Sequence, residues 1–113
     1  MIRHMLMFRF KAEVAQQDRE RMLAELAQFP NRFPAMRNFA LGCNESKRDD
    51  SFTHAMTIEF ESWSDLDSYL SSPEHESFVG ERFRPLIAQR AIATFDDASR
   101  SSGGGAAGDQ QSR

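Results

Sequence analysis

Apolar and polar positions alternate along the opening stretch of the chain. Ile2, His4, Leu6, Phe8 and Phe10 fall on one side of a pleat, and Arg3, Met5, Met7 and Arg9 on the other. The middle of this run is apolar on both faces, which predicts a central strand from Ile2 to Phe10 covered from both sides. From Ala15 to Phe29 the period changes: Met22, Leu23, Leu26 and Phe29 recur at helical spacing among Gln, Asp, Arg and Glu. Pro30 should end that helix, because its ring disfavours helical geometry in the residue before it. Asn31 to Ala35 then reads as a loop stiffened by Pro34. Phe39, Leu41 and Cys43 alternate with Asn38, Ala40 and Gly42 and predict a second strand. The polar run Asn44 to Ser51 reads as the turn of a hairpin.

Phe52 to Glu61 carries the clearest strand pattern, with Phe52, His54, Met56, Ile58 and Phe60 on one face and Thr53, Ala55, Thr57 and Glu59 on the other. Ser62 followed by Asp65 is a cap that satisfies the free N–H groups of a helix start, and Trp63, Leu66 and Leu70 supply its apolar stripe. Ser72 before Pro73 is a second cap, since proline suits the first helical position. That helix should carry Phe78, Val79 and Phe83 inward until Pro85 interrupts it. Ala91 to Asp96 predicts a last short strand. Residues 1–97 thus form one expected domain. Residues 98–113 read as a Gly/Ser-rich disordered tail, with three consecutive glycines and no large apolar residue to offset the entropy of ordering.

The order strand, helix, strand, strand, helix pair, strand folds most simply as an α+β domain of ferredoxin-like βαββαβ type. Short right-handed connections give a four-stranded antiparallel sheet, spatial order 4-1-3-2, with the helices on one face. The other face would then show Met5, Met7 and Ala55, too apolar to leave wet. A second copy of the sheet is the economical cover, so a homodimer through the sheet faces is expected.

Composition narrows the partners. The 14 Lys and Arg against 17 Asp and Glu give a net charge of -3, which offers no global attraction to nucleic acid or anionic membrane. The βαββαβ order is shared with the RNA-recognition motif, but the third strand lacks the basic-Gly-aromatic run that motif requires. No apolar run approaches the roughly 20 residues of a membrane span. The N-terminus enters a strand pattern directly, without the architecture of a signal peptide, so a cytoplasmic protein is expected. A single cysteine, Cys43, excludes an intrachain disulfide and a thiolate metal cluster, and reads as a small buried thiol.

Three segments together resemble the stress-responsive A/B barrel (Dabb) family: Ile2-Arg3-His4-Met5 leading to Phe8-Arg9-Phe10-Lys11, then Phe52-Thr53-His54-Ala55 with Phe60-Glu61-Ser62. The third is Tyr69-Leu70-Ser71-Ser72-Pro73-Glu74-His75 with Phe78-Val79 behind it. The resemblance runs from Met1 to about Asp96. It implies a dimeric α/β barrel of ferredoxin-like subunits. The family's plant polyketide-cyclase branch uses a tyrosine and a histidine in the segment matching Tyr69 and His75, with no metal or organic cofactor. That segment often reads His-Pro-x-His in the family. Here it begins with Ser72, which alters the expected rim of the pocket.

His75 and Tyr69 are therefore the candidate catalytic pair. With Ser72 as cap, His75 is the third helical residue, where the helix dipole disfavours imidazolium, while Glu74 and Glu76 favour it. A phenol can hold a carbonyl or enolate oxygen while the imidazole removes a proton. The competing reading makes Tyr69 a stripe residue beside Leu66 and His75 a polar helix start. The expected topology sets His54 near Tyr69 and His75, and pairs His4 with Asp96 at the other end; His54, His4 and Asp96 are thus candidate substrate-binding residues. The three histidines have no recognisable metal-ligand spacing, so no metal is expected. The functions left open are a cofactor-free cyclase or isomerase acting on a small keto compound, a non-catalytic or stress-related small-molecule binder, and a cofactor-independent monooxygenase.

Overall fold

Pleat alternation and two serine caps account for most of the architecture seen in the computed structural model, which describes residues 1–99. Strand β1 spans Ile2–Phe10 and is followed by helix α1, Gln16–Ala27, and the short helix α2, Phe29–Arg32. Strands β2, Arg37–Cys43, and β3, His54–Phe60, form a hairpin. Helices α3, Trp63–Ser71, and α4, Pro73–Phe78, come next. The chain then passes through a π turn, Val79–Phe83, and a 3-10 turn, Arg84–Leu86, into β4, Ile87–Asp96. The sheet order is β2-β3-β1-β4 with every pair antiparallel. This is the α+β ferredoxin-like arrangement, with β1 central.

The inner face of the sheet packs beneath the helices. Ile2, Phe8 and Phe10 of β1 and Met56, Ile58 and Phe60 of β3 are buried against Met22, Leu26, Phe29, Leu66, Tyr69, Phe78 and Phe83. Phenylalanine dominates this core, in a web of edge-on rings that includes Phe29–Phe78 at 4.8 Å and Phe8–Phe83 at 5.4 Å. Such contacts add about 0.5–1.5 kcal/mol each beyond area burial. The outer face carries Met5, Met7, Ala93 and Phe95, and Met7 and Phe95 remain 37% and 41% exposed.

Several boundaries differ from the sequence expectation. Pro30 does end α1, but it also lies in the first turn of α2, where its missing N–H costs nothing. β3 begins at His54 rather than Phe52, because Thr53 and Asn44 close the hairpin loop. β4 begins at Ile87 rather than Ala91. Phe10 pairs with Ile87 and Arg9 with Gln89, so a bulge at Ala88 absorbs one residue, and the polar Gln89–Arg90 pair hides the strand from a hydrophobicity pattern. In β2 another register shift accommodates Asn38, whose φ of 49° lies in the left-handed region that asparagine tolerates. Ala98 and Ser99, expected to open the tail, instead hydrogen-bond back to Asp96. The rest of the expected tail lies outside the described residues. No helix among the described residues is long and apolar enough to cross a membrane.

Candidate functional site

The elbow between α3 and α4 is built by one serine. The Ser72 hydroxyl accepts the His75 backbone N–H at 3.2 Å and donates to the Tyr69 carbonyl at 2.9 Å. The first bond caps α4 and the second ends α3, so Tyr69 and His75, six positions apart, are folded onto each other. Their ring centroids are 4.5 Å apart. Tyr69 is 5% exposed, and its ring is wedged between Phe33 at 4.9 Å and Phe60 at 5.4 Å. Its hydroxyl makes no side-chain hydrogen bond among the described residues, and Tyr69 is one of the residues that line the cavity. The His75 ring is fixed differently. Its Nδ1 lies 3.1 Å from the Leu70 carbonyl oxygen, an acceptor only. In the neutral ring Nδ1 must therefore carry the proton, which makes Nε2 the basic nitrogen.

These side chains line a cavity of about 170 Å³ between the inner face of the sheet and the helices. His4, Leu6 and Met56 form its floor, Leu26, Phe29, Leu70, Phe78, Val79 and Phe83 its apolar roof, and Arg90 and Ile92 stand where β4 escapes the helices. Ile92 is 51% exposed, so the cavity opens along that edge. A space of about 150 Å³ accepts a benzene-sized molecule. A small organic compound fits inside, and anything longer must project past β4.

The electrostatics favour neutral groups. Burial lowers the pKa of His75, outweighing the Leu70 bond and the charge of Glu76, which both raise it. His4, 6% exposed, is pushed down to about 4 by burial first and by the nearby His75 second. Its Nδ1 is 2.8 Å from Thr94 Oγ1. Burial raises the Tyr69 phenol above its ordinary value, so it stays a hydrogen-bond donor. Two neutral imidazoles and a protonated phenol thus face one apolar space. Among the described residues, no group of three His, Cys, Asp or Glu side chains is placed to hold a metal ion.

A family model described as the stress responsive A/B barrel domain, Dabb, matches residues 2–97. The chain belongs to that family. Olivetolic acid cyclase of Cannabis sativa is 25% identical over 96 residues, covering 83% of this chain and 94% of the relative. The structure of hydroxynitrile lyase from Passiflora edulis superposes with a TM-score of 0.76 at 26% identity, covering 83% of this chain and 90% of that one. A dimeric ferredoxin-like protein of unknown function from Thermobifida fusca superposes at 0.71 with 22% identity, covering 83% and 88%.

Within this Dabb domain the expected site residues separate into two groups. Tyr69 and His75 share the cavity, and His4 joins them. The expected His4–Asp96 pair does not form. The antiparallel register sets His4 opposite Thr94 and Asp96 opposite Ile2, where the N-terminal ammonium lies 3.9 Å from the Asp96 carboxylate and 3.1 Å from Asp97. His54 does not join Tyr69 and His75 either. It pairs with Phe8 near the far end of β1, and its ring stacks on Phe8 at 5.3 Å. Phe83 packs edge-on against the same Phe8, so aromatic rings stand between His54 and the cavity. His54 instead contacts Thr53 Oγ1 at 2.8 Å and Cys43 Sγ at 3.9 Å. Cys43, expected to be buried, is exposed because β2 is an edge strand that the helices leave uncovered. Arg90 at the cavity mouth was missed because the expected strand began at Ala91, four residues after the observed start at Ile87. Counting pleat positions back from Thr94 would have placed it inward.

Proposed function

We propose that this Dabb protein is a cofactor-free proton-transfer enzyme, of cyclase or isomerase type, acting on a small keto compound held in the Tyr69–His75 cavity. The observation that carries the reading is the Leu70 carbonyl bond to His75 Nδ1, which leaves Nε2 as the basic nitrogen of a ring packed against the Tyr69 phenol in a cavity of apolar lining. In this scheme Nε2 takes a proton from the carbon next to a carbonyl. The electron pair moves onto the carbonyl oxygen, where the Tyr69 hydroxyl donates a hydrogen bond to the developing enolate. The enolate carbon then attacks a second carbonyl of the same molecule, or is reprotonated elsewhere, and the imidazolium returns its proton. The Leu70 carbonyl stabilises that imidazolium throughout. His4, held by Thr94, offers a second polar contact to the substrate. Relatives named as a cyclase and a hydroxynitrile lyase support catalysis on this scaffold.

The test uses hexane-2,5-dione in D₂O, with α-hydrogen exchange and ring closure followed by NMR. The wild-type protein should accelerate exchange over buffer. His75→Ala should lose roughly 10²–10⁴-fold of that rate, the usual share of a general base, and Tyr69→Phe should lower kcat more than it changes KM. Saturable binding of the dione without exchange would assign a binding role instead. Equal rates for wild type and His75→Ala would remove His75 from any mechanism.

The active form in this proposal is a homodimer closed through the outer sheet face, as the apolar Met5, Met7 and Phe95 and the dimeric neighbours support. Sedimentation equilibrium at micromolar concentration should give twice the 12.9 kDa chain mass, and Phe95→Glu should shift it toward one. A wild-type monomer would refute the dimer.

A further inference from the structure

A second depression adjoins the cavity, and it is the basic one. It is lined by Val79, Phe83, Arg84, Ile87, Ala88, Gln89 and Arg90, and shares Val79, Phe83 and Arg90 with the cavity itself. Among the described residues, neither Arg84 nor Arg90 has an ion pair or side-chain hydrogen bond. Several other arginines are engaged: Arg82 with Glu25, Arg3 with Glu59 and Asp97, and Arg37 with Glu61. Arg90 is exposed at the rim of the cavity, and its backbone position is not that of an outward-facing charge. Its position opposite Phe8 puts it on the inner, helix-side face of the sheet, in pleat phase with Ile92 and Thr94. No carboxylate lines either space to balance it.

We propose that Arg90, with Arg84 beside it, is an oxyanion anchor, so that the keto compound taken by the cavity carries a carboxylate or phosphate group held at the β4 edge while its carbonyl reaches Tyr69 and His75. This deepens the function proposed above and rests on the cavity being a carbonyl site. A guanidinium presents paired N–H donors that match an oxyanion's two oxygens, and such charge-assisted bonds are about twice as strong as neutral ones. The mouth is where a charge belongs. It remains partly hydrated there, while the apolar interior takes the uncharged end of the molecule. The anchor also fixes which carbon lies under His75, because a tethered end limits how far the molecule slides.

Binding, read without turnover, tests the anchor separately from the chemistry. Calorimetric titration would compare 3-oxohexanoate with methyl 3-oxohexanoate, which differ in the charge. Wild type should bind the acid roughly tenfold or more tightly than the ester, a ratio expected for one charged hydrogen-bonded pair. Arg90→Gln should erase that preference, Arg90→Lys should keep part of it, and Arg84→Gln should weaken it less than Arg90→Gln does. His75→Ala, which disables the proposed base, should leave the preference intact. Acetate and inorganic phosphate, added as competitors, then show which oxyanion the site prefers. Equal affinity for acid and ester, absence of binding by the acid, or an acid preference unchanged in Arg90→Gln overturns the anchor. None of these results affects α-hydrogen exchange of hexane-2,5-dione, so the anchor and the proton-transfer reading fail independently.

Discussion

His4 and His54 occupy the inner face of neighbouring strands in the same sheet, yet their surroundings have little in common. His4 lies under the helices, neutral, bonded to Thr94 and facing the Tyr69–His75 cavity. His54 lies at the hairpin end, half-buried, stacked on Phe8 and in contact with an exposed thiol. Both read as a histidine in an apolar alternation. What separates them is the helical layer. The Ser72 elbow folds α4 back over the middle of the sheet, and the rings of Phe8 and Phe83 close that space before it reaches His54. A pleat face says which side of a sheet a residue is on, and the covering element decides what that side does.

The strongest way to break this division is to remove its wall. Phe83 is 5% exposed and sits edge-on to Phe8. Phe83→Ala deletes a buried ring from the partition and should cost about 3–5 kcal/mol in urea denaturation. It should also enlarge the cavity toward Phe8, visible as displaced His54 ring resonances in NMR spectra. A loss under about 1 kcal/mol would show that Phe83 is not part of a packed wall.

Much of the fold was legible before any coordinates. The alternation in β1 and β3 and the caps at Ser62 and Ser72 are local signals, and the handedness and short connections then leave few topologies. The meeting of Tyr69 and His75 was legible for the same reason, since both lie within one capped elbow. The errors arose where the answer depended on long-range register. Placing Asp96 opposite Ile2 rather than His4 required knowing that the terminal ammonium pairs with Asp96 and Asp97, which levels those acids with the first residues of β1. Placing His54 required knowing which rings fill the space around Phe8. The start of β4 was hidden by Gln89 and Arg90, two polar residues in a strand whose inner edge the helices do not cover.

The cavity end should also dominate the acid sensitivity of the fold. The folded-state pKa of His4, about 4, lies below the 6.5 of the unfolded chain. At neutral pH both states are unprotonated at this residue and its effect is nil. As pH falls through 6.5 the unfolded chain binds a proton that the folded state refuses, so stability declines until the folded His4 is itself protonated near 4. The loss integrates to roughly 3 kcal/mol. His75 and His54 are lowered too and act in the same direction below 6.5. Asp97, held low by the N-terminus and Arg3, acts only at more acid pH. His4→Gln should flatten the decline between pH 6.5 and 4 in denaturant titrations. An unchanged slope would mean that the other groups carry it.

The smallest effect is expected at the hairpin end, and it is the one that sharpens the comparison most. If only the covered half of the sheet is functional, His54→Gln and Cys43→Ser should leave α-hydrogen exchange of hexane-2,5-dione within about twofold of wild type, against the 10²–10⁴-fold expected for His75→Ala. The two variants should differ in stability. Cys43 is exposed and its contact to His54 is a weak one at 3.9 Å, so Cys43→Ser should stay within about 0.5 kcal/mol. His54→Gln removes a ring stacked on Phe8 and edge-on to Phe10, and should cost on the order of 1 kcal/mol. That cost is structural, so it should appear equally at any substrate concentration and leave KM alone. A KM that rises several-fold in His54→Gln, with the fold intact, would instead place His54 in contact with the substrate. The Phe8–Phe83 wall would then have to open when a ligand enters.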